Sequence, residues 1–431
     1  MKVLLVGDGA REHIISEQLA RSSELYVAME HRNPGIKKIS QKFFVCDFSN
    51  IEVVGGWAIR ESIDIALVTS EVALAKGLTD VLAEAGIAVV SPLTAGCSIG
   101  ENAVYAYNLM KDAGISRPNF KVCKNEKEMA KAMKEMPRMV MKPSVRVEWK
   151  GTKFGEVDFK KQPEIIKYGK QLIKRHGSLV LEEIVEGEVF SLQATTDGNS
   201  ISVMPPVQTV RRALVGGMGE LTEGMGSYSA GKLLPFMRQS DLDYARECLW
   251  KLITTLKTKG VDYKGPIWGQ FIATKHGTMM LDVSATFGNM ETLNNLMLLR
   301  TQLVEVLASI IGGSLKQASF LERATVVKYL VPEKYPAKSK ARSEIIIDER
   351  ELWNNGAKAY FDSVEIRDNK IITTNERSLA ICASGETLEE AEIKAESAAS
   401  SITGKIRHRK DIANRDYVTR AIKHMAILRS E

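Results

Sequence analysis

The 431-residue sequence contains few cysteines and no long hydrophobic run, and its net charge is small. The five cysteines are far apart, odd in number and form no CxxC pair, so neither a disulfide framework nor a thiolate zinc site is expected. No apolar run reaches the roughly 18 residues needed to span a bilayer. Residues 1–20 carry charged side chains where a signal peptide would be apolar. These absences predict a soluble cytoplasmic protein.

Charges of the two signs nearly balance. Lys and Arg number 59 and Asp and Glu number 53, which gives a net charge of +6. A charge this small over this length does not indicate a nucleic-acid surface, and the densest basic run, residues 405–410, is typical of a solvated face. The six histidines lack metal-ligand spacing, and no Ser/His/Asp or Cys/His set is apparent. We expect neither a nucleic-acid nor a membrane partner.

Apolar periodicity divides the chain into three parts. Over residues 1–100, strand patterns alternate with helical patterns, which predicts a parallel sheet in an N-terminal α/β domain. Residues 101–320 mix strands and helices. Residues 321–431 combine a strand-rich stretch with an amphipathic helix, which predicts an α+β domain. Six glycines with little periodicity predict a mobile loop over residues 216–231.

A glycine-containing turn follows the first predicted strand. Residues 7–10 read GDGA and lead into a helix, whose N-terminal N–H groups can face an anion. Glu30 after the next strand would suit a dinucleotide site. Glu12, however, stands where GxGxxG has its third glycine, and its carboxylate would repel a pyrophosphate. A small-phosphate or ribose site is the preferred interpretation, and a plain tight turn is the alternative.

Two lysines lie near one predicted strand end. Lys142 is the last residue of an apolar strand, and Lys150 follows eight residues later, just before Gly151. Lysines in this arrangement can clamp phosphates from two sides. Paired surface lysines are common, however, so this pattern alone favours an ordinary surface pair over a phosphate site.

Carboxylates at two further strand ends extend this pattern. Glu182 and Glu183 stand where an apolar strand leaves its sheet, so that the backbone can pair with an adenine edge and a carboxylate can take ribose hydroxyls. An ordinary edge strand is equally compatible. Asp282 ends another apolar run and precedes a glycine turn. Together these strand ends favour an enzyme that holds a metal-bound nucleoside triphosphate.

Six segments, in the same order, resemble motifs of the glycinamide ribonucleotide synthetase family (phosphoribosylamine–glycine ligases), which are ATP-grasp enzymes of purine synthesis. The likeness extends from about residue 1 to residue 415. The segments are GDGAREH at 7–13, SEVALAKG at 70–77, VLEE at 180–183 with GE at 187–188, GMGSYS at 224–229, DVSATFGNMET at 282–292, and RKDI at 409–412 with Arg415. They are similar to the family's GxGGREH, GPEAPLVKG, IEE…GEE, GGMGAYS, EFNCRFGDPET and RKDI…R.

The resemblance implies a fold and a reaction. The expected fold has an N-terminal pre-ATP-grasp domain (1–100), a central ATP-grasp domain of two subdomains (101–320) and a C-terminal α+β cap (321–431). The smaller, mobile subdomain is expected at about 120–190. The implied reaction uses ATP with Mg²⁺ or Mn²⁺ to convert glycine to glycyl phosphate. The amine of phosphoribosylamine then attacks it, giving glycinamide ribonucleotide, ADP and phosphate. Phosphoryl transfer depends on positioning and charge neutralisation, and residues 216–231 would close over the acyl phosphate.

The resemblance also implies roles for individual residues. Those expected to bind ATP are Lys142, Lys150, Glu182, Glu183, Ile184, Val185 and Glu188. Those expected to face phosphoribosylamine are Gly9, Arg11, Glu12, His13, Glu71 and Gly226. The expected catalytic cations are Arg211, Arg212 and Lys150, and the expected metal ligands are Asp282 and Ser284.

Several positions depart from the family pattern, among them Trp149 before Lys150 and residues 219–221, which replace the family's TGPN. Asp282 and Ser284 replace the family's metal-binding Glu and Asn, and serine is the weaker ligand. Thr286 replaces an arginine, and Ala103 replaces a lysine. Loss of a phosphate-clamping cation typically costs about two or more orders of magnitude in rate. The alternative is therefore a divergent ATP-grasp paralogue with an altered substrate, or a non-catalytic nucleotide-binding protein.

Overall fold

A computed structural model describes residues 1–145 and 151–430 of the chain. Lys150, a predicted phosphate contact, lies outside these ranges. The described residues form five sheets that pack with helices around a largely continuous apolar core. None of the helices in these ranges is both long and apolar enough to cross a bilayer.

The N-terminal part is a parallel α/β domain, as the sequence predicts. Its strands are β1 (Lys2–Val6), β2 (Glu24–Met29), β3 (Lys42–Val45), β4 (Ile65–Val68) and β5 (Ala88–Val89). Its helices are α1 (Ala10–Leu19), α2 (Pro34–Ile39), α3 (Ile51–Arg60), α4 (Glu71–Ala75) and α5 (Leu78–Glu84). The order β3-β2-β1-β4-β5 makes β1 and β4 the point where the strand order reverses. Loops at such a point form a crevice for ligands.

A small antiparallel sheet follows two connecting helices. The connecting helices are α6 (Thr94–Glu101) and α7 (Ala103–Asp112). The strands are β6 (Phe120–Cys123), β7 (Met139–Pro143), β8 (Lys153–Phe154) and β9 (Leu179–Glu183), in the order β6-β9-β7-β8. The helices are α8 (Glu126–Glu135), α9 (Gly155–Asp158) and α10 (Gln162–His176). A separate apolar cluster lies between this sheet and its helices, so the unit has its own core.

A second antiparallel sheet forms the body opposite the small sheet. Its strands are β10 (Glu188–Thr196), β11 (Ile201–Val203), β14 (Gly265–Thr274) and β15 (Gly277–Ser284), in the order β11-β10-β14-β15. Helix α11 (Gln239–Thr258) packs on β14 and β15. After β15 come α12 (Asn289–Leu298) and α13 (Leu303–Ile311).

The remaining strands form two sheets, of which the larger joins the middle of the chain to its C-terminal part. Its strands are β12 (Gln208–Leu214), β13 (Met218–Ser229), β16 (Ala324–Pro332), β21 (Leu379–Gly385) and β18 (Ala357–Phe361), in that spatial order, and β22 (Ile406–Arg407) pairs with β16. The smaller sheet contains β17 (Glu344–Ile345), β20 (Lys370–Thr373) and β19 (Val364–Arg367). The C-terminal helices are α14 (Glu349–Asn354), α15 (Leu388–Ser401) and α16 (Arg415–Leu428).

The prediction of a mobile loop at residues 216–231 is wrong. Most of it is strand β13, which pairs with β12 on one side and β16 on the other. Its glycines permit close packing: a Cβ atom on Gly226 would lie 2.2 Å from the Val327 carbonyl oxygen. Glycine in a strand can mark such a close approach of backbone. The proposed closure by this segment is therefore not retained.

His13 joins the N-terminal domain to the C-terminal sheet. Its Nδ1 accepts a hydrogen bond from the Phe361 amide at 3.0 Å, and its ring packs against Tyr360 and Phe361. Burial lowers the pKa of His13 to about 4, because the charged imidazolium would lose its hydration. The predicted substrate contact is thus placed in a buried junction between domains.

The low pKa of His13 predicts acid-sensitive stability. Above pH 6.5 the residue is neutral in both states, but below it the unfolded chain binds a proton that the folded protein does not. Stability is then lost as pH falls from 6.5 towards 4, by up to about 3 kcal/mol. Urea unfolding at several pH values should show a shallower pH dependence in His13→Gln than in the wild type. The exposed His276→Gln serves as control, and equal slopes for all three proteins would contradict this role.

Candidate active site

A cavity of about 320 Å³ lies between the small sheet and the body. It brings together seven of the predicted site residues. These are Lys142, Glu182, Glu183, Ile184, Val185, Arg211 and Asp282. Its walls are otherwise mainly apolar, with side chains from both sheets, including Val140, Phe154, Val189, Ile272 and Leu281. A mainly apolar cavity with a few charged side chains is suited to a nucleotide base and its phosphates.

Lys142 is held at the cavity by a buried polar network. Its Nζ donates to Glu182 Oε1 at 2.7 Å and to the Tyr107 hydroxyl at 3.1 Å. The Tyr107 hydroxyl donates to Glu182 Oε2 at 2.8 Å, and Arg117 lies 3.4 Å from the same oxygen. Burial opposes the charge on Lys142, but the Glu182 carboxylate outweighs it and raises the lysine pKa. Lys142 is therefore a fixed cation, and Glu182 is its anchor.

The two predicted arginines point to different places. Because side chains alternate along a strand, Arg211 and Arg212 on β12 face opposite sides. Arg211 lines the 320 Å³ cavity and a neighbouring small one. Arg212 forms an ion pair with Asp158 and donates to the Gly219 carbonyl oxygen at 2.9 Å. Only Arg211 is placed to meet a ligand in these cavities.

Arg211 is a half-buried cation among carboxylates. Burial lowers its pKa, while the nearby Glu291 and Asp282 favour its charged form. It lies between the 320 Å³ cavity and a small cavity of about 30 Å³. An arginine in this position can contact anionic groups on both sides.

The end of β15 carries the predicted metal ligands. Asp282 is 4% exposed, and its Oδ1 accepts from the Val283 amide at 2.9 Å. Ser284 Oγ accepts from the Thr286 amide at 3.4 Å. Within residues 1–145 and 151–430, no group of three or more His, Cys, Asp or Glu side chains could hold a metal alone. Asp282 and Ser284 each offer one side-chain oxygen donor at this strand end, and Mg²⁺ is typically bound through one or two carboxylates together with substrate phosphates and water.

Sequence reasoning missed Glu291, in the first turn of α12. It is 3% exposed, lines the small cavity, and its Oε1 has no hydrogen-bond partner among the described residues. A buried carboxylate oxygen without a partner is costly, which points to an occupant of this cavity. The available signal was its place nine residues after Asp282, in a segment that resembles a family motif.

The N-terminal turn lines a further cavity of about 200 Å³. Arg11, Glu12 and Glu71 are among its lining residues. Arg11 donates to the carbonyl oxygens of Phe287 at 2.6 Å and Thr69 at 2.7 Å, and pairs with Glu12 at 2.6 Å. Arg11 therefore ties the N-terminal turn to the segment after β15. Glu12 Oε2 accepts from the Gly9 amide at 2.9 Å and fixes the turn.

Other predicted residues lie beside the cavities. Glu188 Oε1 is 2.7 Å from His424 Nδ1, so the Glu188 side chain contacts the C-terminal helix. This hydrogen bond raises the pKa of His424. The sequence neighbours of Glu188, Gly187 and Val189, line the 320 Å³ cavity. Gly226 packs within β13, as described above, and does not line the cavities described here.

Comparison with known proteins gives consistent relatives over the whole chain. Three family models match, described as the N domain, the ATP-grasp (A) domain and the C domain of phosphoribosylglycinamide synthetase, over residues 1–100, 101–292 and 325–415. The chain is 36% identical to the phosphoribosylamine–glycine ligase of Methanobrevibacter smithii, over 99% of both chains. It is also 36% identical to that of Pyrococcus horikoshii, over 100% of this chain and 99% of the relative.

Solved structures show the same fold. The crystal structure of phosphoribosylamine–glycine ligase from Thermotoga maritima superimposes with a TM-score of 0.81 at 22% identity, covering 96% of this chain and all of that one. An N5-carboxyaminoimidazole ribonucleotide synthetase from the same organism gives 0.65 at 16% identity, over 94% and 99% of the two chains.

The network around Lys142 predicts a defect in nucleotide binding when it is removed. Lys142→Met is expected to weaken ATP binding about ten- to a hundredfold, because a charge-assisted contact is worth about 1.5–3 kcal/mol. Equilibrium titration with ATP and magnesium measures this. Lys121→Met on strand β6 of the same sheet is the control, since Lys121 is exposed and pairs only weakly with Glu135 at 3.2 Å. Unchanged affinity in a folded Lys142→Met protein would remove the phosphate-contact assignment.

Proposed function

The chain belongs to the phosphoribosylglycinamide synthetase family, and we propose that it is an ATP-dependent ligase that joins glycine to 5-phosphoribosylamine. Its product is glycinamide ribonucleotide, with ADP and phosphate released. The sequence identity of 36% with two phosphoribosylamine–glycine ligases, over nearly the whole chain, supports this proposal. The structural observation that carries it is the cavity lined by Lys142, Glu183 and Asp282, which come from three separate parts of the chain.

In this proposal ATP occupies the 320 Å³ cavity, which is called the nucleotide cavity below. The adenine lies between apolar side chains of the small sheet and the body, and its edge meets the backbone at Ile184 and Val185. Lys142 faces the phosphates, because it is the cation that its network fixes at the cavity. The side chain of Glu183, which accepts from Asn119 at 2.7 Å, stands near the sugar. Lys150 remains a predicted phosphate contact outside the described residues.

The first chemical step joins glycine to the terminal phosphoryl group. A carboxylate oxygen of glycine attacks the γ-phosphorus, the bond to the β-phosphate oxygen breaks, and ADP leaves. Arg211 lies between the nucleotide cavity and the small cavity, where it can offset the negative charge on both reactants. This placement supports Arg211, rather than Arg212, as the catalytic cation.

The second step uses the N-terminal side of the site. The amine nitrogen of phosphoribosylamine attacks the carbonyl carbon of glycyl phosphate, the carbon–oxygen bond to phosphate breaks, and the nitrogen loses a proton. The 200 Å³ cavity beside Arg11, Glu12 and Glu71 shares lining residues with the small cavity, among them Arg11 and Glu71. The carboxylates of Glu12 and Glu71 can accept hydrogen bonds from sugar hydroxyls. We assign phosphoribosylamine to this cavity.

Asp282 and Ser284 are the proposed metal ligands, with Glu291 close by. Their oxygen donors suit Mg²⁺ or Mn²⁺ together with nucleotide phosphates. Such an ion, when bound, neutralises phosphate charge and orients the transferring group. The cytoplasmic location and the absence of nucleic-acid and membrane partners remain predictions.

The reaction predicts a defined dependence on substrates. ADP release with magnesium should require glycine and phosphoribosylamine together, because the acyl phosphate is consumed only when the amine is present. A coupled assay with each component omitted in turn measures this. ATP binding without any turnover would favour the alternative of a non-catalytic nucleotide-binding paralogue. Turnover with a different amino acid would identify an altered substrate.

A further inference from the structure

A bulge in strand β13 directs one carboxylate, Glu223, out of its sheet. On β12 the paired residues Val210 and Arg212 are two apart, whereas their partners Gly226 and Leu221 on β13 are five apart. The extra residues of β13 therefore leave the regular ladder. Bulges of this kind redirect side chains next to active sites.

The bulge is fixed on both sides of Glu223. The Thr222 hydroxyl donates to the Arg211 carbonyl oxygen at 2.6 Å and accepts from the Gly224 amide at 3.0 Å. Gly224 has φ of +131°, and a Cβ atom there would lie 2.0 Å from Met290 Cε. The local backbone therefore depends on glycine and is pressed against helix α12. The direction of the Glu223 side chain is built into the fold.

Glu223 stands where three cavities meet. It lines the small cavity beside Arg211, the 200 Å³ cavity at the N-terminal turn, and a third cavity of about 420 Å³ towards the C-terminal sheet. Among residues 1–145 and 151–430, no other residue lines three of these four cavities. Its side chain is 27% exposed, so part of the carboxylate faces the cavities.

Arg377 forms an ion pair with Glu223. Arg377 Nη2 lies 3.5 Å from Glu223 Oε2, and Arg377 Nε lies 3.1 Å from Asp362 Oδ2. The Arg377 guanidinium also packs over the Tyr329 ring, 4.2 Å from its centroid. These contacts restrict the position of Glu223 beside the cavities that it lines.

The small cavity has the charges of an α-amino acid site. Arg211 supplies a cation, and three carboxylates, from Glu71, Glu223 and Glu291, outnumber the two lining arginines. Its volume of about 30 Å³ exceeds that needed for one water but leaves little room for a side chain. A glycine zwitterion carries its carboxylate and ammonium on one carbon, which matches a cation and an anion facing the same small space.

We propose that Glu223 binds the ammonium group of the amino acid substrate while Arg211 meets its carboxylate. This assignment rests on the proposed ligase function and identifies the residue that selects an amino acid over other small carboxylates. It places the carboxylate next to the nucleotide cavity, which Arg211 also lines, and the amino group towards Glu223. Trp268, Phe287 and Met290 line the same cavity and exclude larger side chains.

Binding of glycine and glycolate separates the role of the ammonium from that of the carboxylate. The full-length protein is titrated with each in the presence of magnesium and a non-hydrolysable ATP analogue. Glycolate carries a hydroxyl in place of the ammonium, so the wild type should bind glycine at least about tenfold more tightly. Glu223→Gln should weaken glycine binding by about tenfold or more and leave glycolate and the ATP analogue within about twofold.

The matched control is Glu220→Gln. Glu220 lies on the same strand, is exposed and lines only the 420 Å³ cavity, so glycine binding should be unchanged. Thermal unfolding verifies that the variants fold. If Glu223→Gln does not fold, Glu223→Asp takes its place, because it keeps the charge beside Arg377 but withdraws it from the cavity. Glycine affinity within about twofold of wild type in a folded Glu223 variant would overturn the proposal.

A panel of amino acids distinguishes failure of this proposal from failure of the ligase function. Alanine, serine and β-alanine are titrated beside glycine. If one of them binds in place of glycine and its binding falls in Glu223→Gln, the Glu223 assignment stands and the glycine substrate is wrong. If the wild type binds none of these amino acids, the Glu223 assignment is overturned.

Discussion

The site depends on one buried ion pair, between Lys142 on β7 and Glu182 on β9. The two side chains meet at 2.7 Å across neighbouring strands of the small sheet, with the Tyr107 hydroxyl in contact with both. Removing one partner of such a pair typically costs about 3–5 kcal/mol, because the other charge is left buried. The pair therefore fixes a cation at the nucleotide cavity and also couples that cation to the folding of the sheet.

The rest of the site is a sequence of charges that continues from this pair across the cleft. Arg211 lies between the nucleotide cavity and the small cavity, and Glu223 lies between the small cavity and the N-terminal turn. Arg11 then links that turn to the segment after β15 through backbone carbonyl oxygens. The order of charges matches the order in which a triphosphate, an amino acid and an amine must meet. Contacts between domains, more than any single motif, create this order.

Much of the fold could be predicted from the sequence, for physical reasons. Apolar runs such as Lys2–Val6 form buried parallel strands, and polar residues at strand ends meet at the cleft, as Lys142, Glu183 and Asp282 do. The glycines of residues 216–231 were misread because glycine permits both a mobile loop and close packing of strands. Sequence alone does not distinguish the two, since the difference lies in the neighbouring backbone.

The side-chain contacts could be predicted less well, because they depend on register and on distant partners. Arg211 and Arg212 are adjacent in sequence yet face opposite sides of one strand, and Glu223 reaches the cleft only through a bulge. His13 and Glu188 contact C-terminal residues that lie more than 200 positions away.

Hydrogen–deuterium exchange with and without ATP and magnesium tests the nucleotide cleft most directly. The account predicts slower exchange in residues 139–143, 179–187 and 279–284 together, because one nucleotide contacts all three segments. Protection confined to one of them, or to residues far from this cleft, would contradict it.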